Sequence, residues 1–302
     1  MLGKITDEKE WQSFIRQFSI KPELDEDHTQ ILKELSRLVV NAIKKNIRKE
    51  RFGILFSGGV DSSLIAQLCR KEKKDFICYT AALEEAGLKK AEDLIYAKKV
   101  AKKLNLKLKI KTIGLVETEE YIKKILKILK EPNVVKVGVA LPFYIAFEMA
   151  KKDNITYMFS GLGSEELFAG YERHINAKDL NKECFNGLLL MYERDISRDR
   201  AIAKAHKIKL KLPYLDEDLI RYSLRIPAEF KLSAGQNKII LREVAEQLGL
   251  KEFAWRKKRA AQYGSRFDRG MEKLAKRSVF KYKQEYLKNL LSQGLNNSNK
   301  FK

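Results

Sequence analysis

Apolar residues in the first stretch of the chain fall at helical spacing. In WQSFIRQF and ILKELSRLVVNAIKKNI they recur every three or four positions, as at Ile31, Leu35, Leu38, Val39 and Ile43. That is the stripe an amphipathic helix buries, so residues 1–47 predict a helical segment. The pattern then changes. Phe52–Phe56, FGILF, is a short unbroken apolar run, which suits a central parallel strand covered on both faces. A helix opens near Asp61 with Leu64, Ile65 and Leu68 turned inward. FICYTAAL (Phe76–Leu83) reads as a second strand and DLIYAKKVAKKLNL (Asp93–Leu106) as a helix. LKLKIKTI (Leu106–Ile113) alternates apolar residues with lysine, the pattern of a half-exposed edge strand. YIKKILKILK and LPFYIAFEMAKK follow as helices, and ITYMFSG (Ile155–Gly161) as a further strand.

The order β-α-β-α-β-α-α-β predicts an α/β fold, a doubly wound, mostly parallel sheet flanked by helices. Beyond Gly170 the pattern is mostly helical. The closing KQEYLKNLLSQGLNNSNKFK fades into polar residues expected to fray. The expected division is a helical segment over 1–47, a main domain over 48–280 with a helical C-terminal part, and a polar tail over 281–302. No internal repeat is visible.

Composition narrows the picture. The chain has 302 residues, 44% hydrophobic and 33% charged, enough to bury a sizeable core. No apolar run approaches the length of about 18 residues that a membrane span needs, and Met1–Lys4 leads into a polar stretch rather than a signal-peptide core. Cys69, Cys78 and Cys184 are odd in number and widely spaced, with no CxxC pair. That usage predicts a cytoplasmic, reducing compartment and no cysteine-based metal site. The net charge of +21 attracts polyanions. It leaves two readings open: a surface for nucleic acid, or a basic, ion-paired surface around an anionic substrate.

The candidate chemistry begins where the first strand ends, at SGGVDSS (Ser57–Ser63). Glycines at a strand-to-helix turn let the backbone approach a ligand closely. The first amides of the helix point outward unpaired, the helix dipole adds positive potential, and Ser57, Ser62 and Ser63 add hydroxyl donors. Together these make a phosphate cradle at the carboxyl end of a central strand. The plainer alternative is a tight turn with Asp61 or Ser62 as an ordinary helix cap. Asp61 would repel phosphate unless a magnesium ion lay between them. The lysine that closes a GxxxxGK[ST] loop is absent, so the usual γ-phosphate chemistry is not indicated.

SGGVDSS resembles the pyrophosphate loop of the ATP pyrophosphatase superfamily, which cleaves ATP between the α- and β-phosphates. FSGLGSEELFAGY (Phe159–Tyr171) resembles the matching segment of the synthetase domain of asparagine synthetases. The stretch Ser197–Leu232 follows the same family, and NKIILREVAEQL with WRKKRAAQYGS completes the order. The resemblance spans about Gly53 to Ser265 and implies an adenine nucleotide α-hydrolase-like fold, with 48–280 as the synthetase domain. It also implies that a substrate carboxylate attacks the α-phosphate of ATP, that pyrophosphate leaves, and that ammonia or an amine then displaces AMP.

The resemblance implies roles residue by residue. Ser57, Gly58, Gly59, Ser62 and Ser63 look like the donors to the leaving pyrophosphate, with Ser160 and Gly161 completing the ATP site. Magnesium is expected on Asp61 and on Glu165, a position more often Asp in the family. Lys258 matches the lysine over the pyrophosphate, Arg198 and Asp195 match polar positions that order the site, and Lys238 adds positive charge. ATP and Mg2+ are thus the implied cofactors, and a small carboxylate with ammonia or an amine the implied partners.

Two departures stand out. Leu2 follows Met1 where the family's glutaminase half exposes a cysteine, so ammonia is expected from solution or from a separate glutaminase subunit. Leu162 stands where the family has a glutamate beside the acceptor, and an apolar side chain in a polar position signals a changed ligand. β-lactam synthetase, a family relative, also departs there. An alternative within the superfamily is a tRNA-modifying enzyme that adenylates a base, which the charge and Trp255, Tyr263 and Phe267 among cations favour. A non-catalytic nucleotide-binding protein is the third reading. His28, His174 and His206 form no metal spacing; His174 reads as a surface or capping residue and Tyr171 as packing.

Overall fold

A computed structural model of the chain describes residues 5–18, 21–256 and 259–299, with side chains as far as 294. Two helices come first, α1 (Glu8–Arg16) and α2 (His28–Lys44). Asp7 and Asp27 begin them by accepting the backbone amides of Glu10 and Gln30, three residues on, the usual aspartate cap. The sheet that follows comprises β1 (Phe52–Leu55), β2 (Phe76–Leu83), β3 (Leu108–Ile113), β4 (Tyr157–Phe159) and β5 (Lys209–Lys211). All pairs are parallel and the order is β3-β2-β1-β4-β5. Helices α3 (Val60–Lys71), α4 (Glu92–Leu104), α5 (Leu115–Leu129) and α6 (Val134–Lys152) make the first three crossovers, and the helices between Ser164 and Ala205 make the last. This is the doubly wound α/β sheet that the apolar pattern predicts.

The two-residue period of the strands divides the core into two layers. Phe52, Ile54, Phe56, Cys78 and Phe159 face a layer containing α2 and α3. Leu55, Ile77, Tyr79 and Met158 face the opposite layer, with α5 and α6. Gly53 lies between; a Cβ there would sit 2.7 Å from the Met158 side chain. The lysine-bearing β3 is an edge, as its alternation predicts. The other edge, β5, is three residues long and was not expected, since KLK is too short to show a period.

The described residues of the first 47 share the core of the main domain. Trp11 is fully buried in the same layer as Phe52 and Leu64, and its indole Nε1 donates to the Leu188 carbonyl at 2.7 Å. Trp11→Phe removes that donor and leaves a buried carbonyl unpaired, at a cost of about 1–3 kcal/mol. Urea unfolding measures it; an unchanged midpoint would mean the bond does not anchor α1.

The polar tail expected over 281–302 is corrected over most of its length. Lys283–Asn299 is helix, with Tyr286, Leu287 and Leu290 buried among α5 and α6 residues. Tyr286 Oη donates to Glu119 at 2.8 Å. The apolar stripe at i, i+1 and i+4 was present, but Asn, Ser and Lys around it masked it. Among the described residues no single helix is long and apolar enough to cross a membrane.

The topology places the site. From β1 the chain builds outward through β2 and β3, then crosses back to put β4 on the other side of β1. Loops leaving β1 and β4 therefore diverge, and the crevice between them is the position where open α/β sheets take ligands.

Candidate active site

The turn after β1 is built to expose its amides. Gly58 has φ +68°, and a Cβ on it would lie 2.6 Å from the backbone of Tyr96 and Ala97. Only glycine fits both constraints. Gly59 begins α3 with no side-chain cap, which removes the plainer reading of Asp61 or Ser62 as the cap. Ser57 Oγ accepts the Gly59 amide at 3.2 Å, and Ser62 Oγ donates to the Gly59 carbonyl at 3.3 Å. Arg256 clamps the turn from outside. Its guanidinium donates to the Ser57 carbonyl at 2.7 Å and to Asp93 at 2.6 Å, and stacks 4.2 Å over the Tyr96 ring.

A cavity of about 570 Å³ opens over this turn. Of the residues the sequence singles out, Ser57, Gly59, Asp61, Ser62, Ser160, Gly161, Glu165, Asp195 and Arg198 line it. Gly58 forms the bend behind it and Ser63 is buried beneath it. Lys258 lies outside the described residues. Leu55, Phe56, Thr80 and Ala81 add the carboxyl ends of β1 and β2 to the wall. These strand ends carry no motif, so the sequence alone did not mark them.

The loop after β4 meets the start of α3. A Cβ on Gly161 would come 2.9 Å from the Asp61 Cβ, and this close approach brings Glu165 beside Asp61. Lys238 joins them. Its side chain is fully buried, and its Nζ donates to both Asp61 carboxylate oxygens at 2.8 Å, to Glu165 at 2.7 Å and to Ser164 at 3.1 Å. Burial works against its charge, but the Asp61 and Glu165 carboxylates outweigh burial and hold its pKa above the usual lysine value. A Cβ on Gly170 would overlap the Glu165 carboxylate and crowd Lys238 Cε. The glycines of FSGLGSEELFAGY thus make room for this cluster.

The two carboxylates fit a magnesium ion in donor chemistry. Magnesium characteristically takes one or two carboxylates and fills its remaining positions with phosphate oxygens and water. Among the described residues no cluster of three His, Cys, Asp or Glu side chains could hold a metal by itself.

A buried charge network lies behind the far wall. Tyr192–Ile196 is a π-helical turn, a feature frequent at functional sites. It leads into Ser197–Ala205. Arg194 bonds Glu166 at 2.7 Å and Asp195 at 3.0 Å; Arg198 bonds Asp199 at 2.7 Å and Asp195 at 3.2 Å. Burial, followed by the nearby Asp195 charge, pushes the Glu166 carboxyl up to about 7. Burial raises Asp199 to about 6 despite Arg198. Glu166, Arg194, Asp199 and Arg256 escaped the sequence reading, because charged residues at i, i+3 and i+4 look like surface ion pairs until burial is known.

The asparagine synthase family model matches residues 34–186 and 174–295. The chain belongs to the asparagine synthase family. A Methanocaldococcus jannaschii protein provisionally named glutamine-hydrolyzing asparagine synthetase 1 is 36% identical over 289 residues, covering 83% of this chain and 52% of that protein. The human glutamine-hydrolyzing asparagine synthetase is 29% identical over 264 residues, covering 84% of this chain and 46% of its own length. The chain spans about half the length of the curated relatives it matches. Among solved structures, the NH3-dependent NAD synthetase of Campylobacter jejuni aligns with a TM-score of 0.35 and 16% identity, over 60% of this chain and 94% of that one.

In this member of the family the histidines serve packing and capping. His28 pairs with Glu243 at 2.8 Å, His206 Nδ1 lies 2.9 Å from the Ile202 carbonyl, and His174 Nδ1 accepts the Tyr171 amide at 3.1 Å. Burial, then Arg173, lowers the His174 pKa to about 4, below the usual histidine value. Its contribution to stability is therefore complete above about pH 6.5 and lost as pH falls toward 4. Thermal unfolding from pH 7 to 5 should show a steeper loss for the parent than for His174→Gln; equal slopes would contradict it. Of the three aromatics among cations, Trp255 and Tyr263 are partly exposed, whereas Phe267 is core.

Proposed function

We propose that the chain is an ATP-dependent, AMP-forming carbon–nitrogen ligase. The observation that carries this reading is the convergence of Asp61, Glu165 and Lys238 at the amide-rich start of α3, at the topological switch point. Open helix amides with a cation and metal-binding carboxylates suit a phosphate chain carrying several negative charges.

The turn would hold the β- and γ-phosphates of ATP through the first amides of α3 and, on exchange of their bonds to Gly59, the Ser57 and Ser62 hydroxyls. The adenosine would lie against Leu55, Phe56, Ala81, Ser160 and Gly161, which line the cavity. Asp61 and Glu165 would hold a magnesium ion, which would supply charge neutralisation for the leaving pyrophosphate. An acceptor carboxylate oxygen then attacks the α-phosphorus, and the bond from that phosphorus to the bridging oxygen breaks. Pyrophosphate departs with the electron pair, stabilised by the preorganised amides and by Lys258. Ammonia or an amine next attacks the acyl carbon, AMP leaves with the carboxylate oxygen, and the nitrogen loses a proton. Asp195 and Arg198 fix the far wall against which the acceptor lies. Three buried, unbonded thiols suit a cytoplasmic setting.

The test is pyrophosphate and AMP production from ATP with small acids, with and without ammonium. Acid-dependent pyrophosphate supports the reading; ADP and inorganic phosphate would sink it. A second reading, adenylation of a tRNA base, is favoured by the +21 charge and by exposed Trp255 and Tyr263 near the clamp. Pyrophosphate release that needs tRNA and no acid would favour it.

A further inference from the structure

The cavity has an apolar wall that runs past the nucleotide. Val135, Val139, Phe143 and Ala146 of α6 line it at spacings of four, four and three residues, a single helical face about 16 Å long at 1.5 Å per residue. Its Ala146 end shares a buried cluster with Leu55 of β1 and Tyr79 of β2, beside the position proposed for adenosine. Its Val135 end is fixed beside the π-helical turn, because Lys136 Nζ donates to Glu193 at 2.5 Å. Leu162, on the loop after β4, lines the same cavity. Val135 and Val139 thus wall the end of the cavity beside the π-helical turn.

The charges at this end are already matched. Lys136 is paired with Glu131 and Glu193, Arg173 with Glu183, Arg194 with Glu166 and Asp195, and Arg198 with Asp195 and Asp199. Four cations thus face six carboxyl groups. A second anionic group on an acceptor would meet this excess of carboxyl groups, with no unpaired cation among the described residues at this end, and like charge repels it.

We propose that the acceptor is a monocarboxylic acid with an apolar body. The body lies along Val135, Val139 and Leu162, and its single carboxylate points toward the Ser57–Asp61 turn. This rests on the ligase reading above and names the substrate class of that site. The step is unchanged in balance: the carboxylate oxygen bonds the α-phosphorus, pyrophosphate leaves with the electron pair, and nothing is oxidised.

Acid-dependent exchange of labelled pyrophosphate into ATP tests this on the full chain, since exchange needs no amine. The panel is hexanoate, 3-methylbutanoate and 3-phenylpropionate against aspartate, glutamate and succinate. The expected result is at least about tenfold faster exchange with an apolar monoacid than with any of the diacids. Equal or faster exchange with a diacid overturns the proposal and leaves the ligase reading standing. Exchange that requires tRNA, or no exchange with any acid, overturns the ligase reading itself. Two variants locate the seat. Leu162→Glu, and Val135→Asp at a position already 55% exposed, should raise the KM for the apolar acid about tenfold and leave the KM for ATP within about twofold. An unchanged acid KM in both variants overturns the proposed wall.

Discussion

Asp61→Asn is expected to lower pyrophosphate release by about a thousandfold or more while the fold survives. The carboxylate stands in the first turn of α3 and faces Lys238 with both oxygens. Asparagine keeps an acceptor for the ammonium but loses the charge that a magnesium nucleotide requires, and a lost transition-state contact of this kind costs two to three orders of magnitude or more. The fold tolerates the change because Glu165 still balances the Lys238 ammonium. Circular dichroism and thermal unfolding check the fold, and a pyrophosphate assay checks the rate. Normal turnover in a folded variant would mean that Asp61 holds no metal.

Lys238→Met should act the other way, on stability first. Removing the ammonium leaves Asp61 and Glu165 facing one another with no cation between them, and breaking a buried ion pair from one side costs about 3–5 kcal/mol. Magnesium chloride alone should restore part of that loss, because a divalent ion on the same two carboxylates does the work of the missing charge. The measurement is the unfolding midpoint of parent and variant with and without millimolar magnesium. A rise in the variant far larger than in the parent is the expected result; no rise in the variant would show that the pair does not take a divalent cation.

The parts of this site that were legible in the sequence are those where backbone geometry restricts the residue type. Gly58 has to be glycine because of its positive φ and its contact with α4, so the turn could be read directly. Strands β1 and β2 were legible because burial on both faces leaves an unbroken apolar run. The sheet edge β5 and the final helix were missed for opposite reasons. One is too short to show a period, and the other carries its period under a polar composition. The network of Glu166, Arg194, Arg198 and Asp199 was only half visible, through Arg198 and Asp195, since charge pairs give no sign of their depth in a sequence. Lys238 was seen as added charge, but its place between Asp61 and Glu165 depends on a contact across more than seventy residues, which no local pattern encodes.

The transfer of one oxygen atom decides the chemistry. An acid that drives turnover, labelled with heavy oxygen at both carboxylate positions, should deliver one heavy oxygen to AMP and none to pyrophosphate. Heavy oxygen in inorganic phosphate alongside ADP, or AMP without label, would contradict attack of the acid on the α-phosphorus.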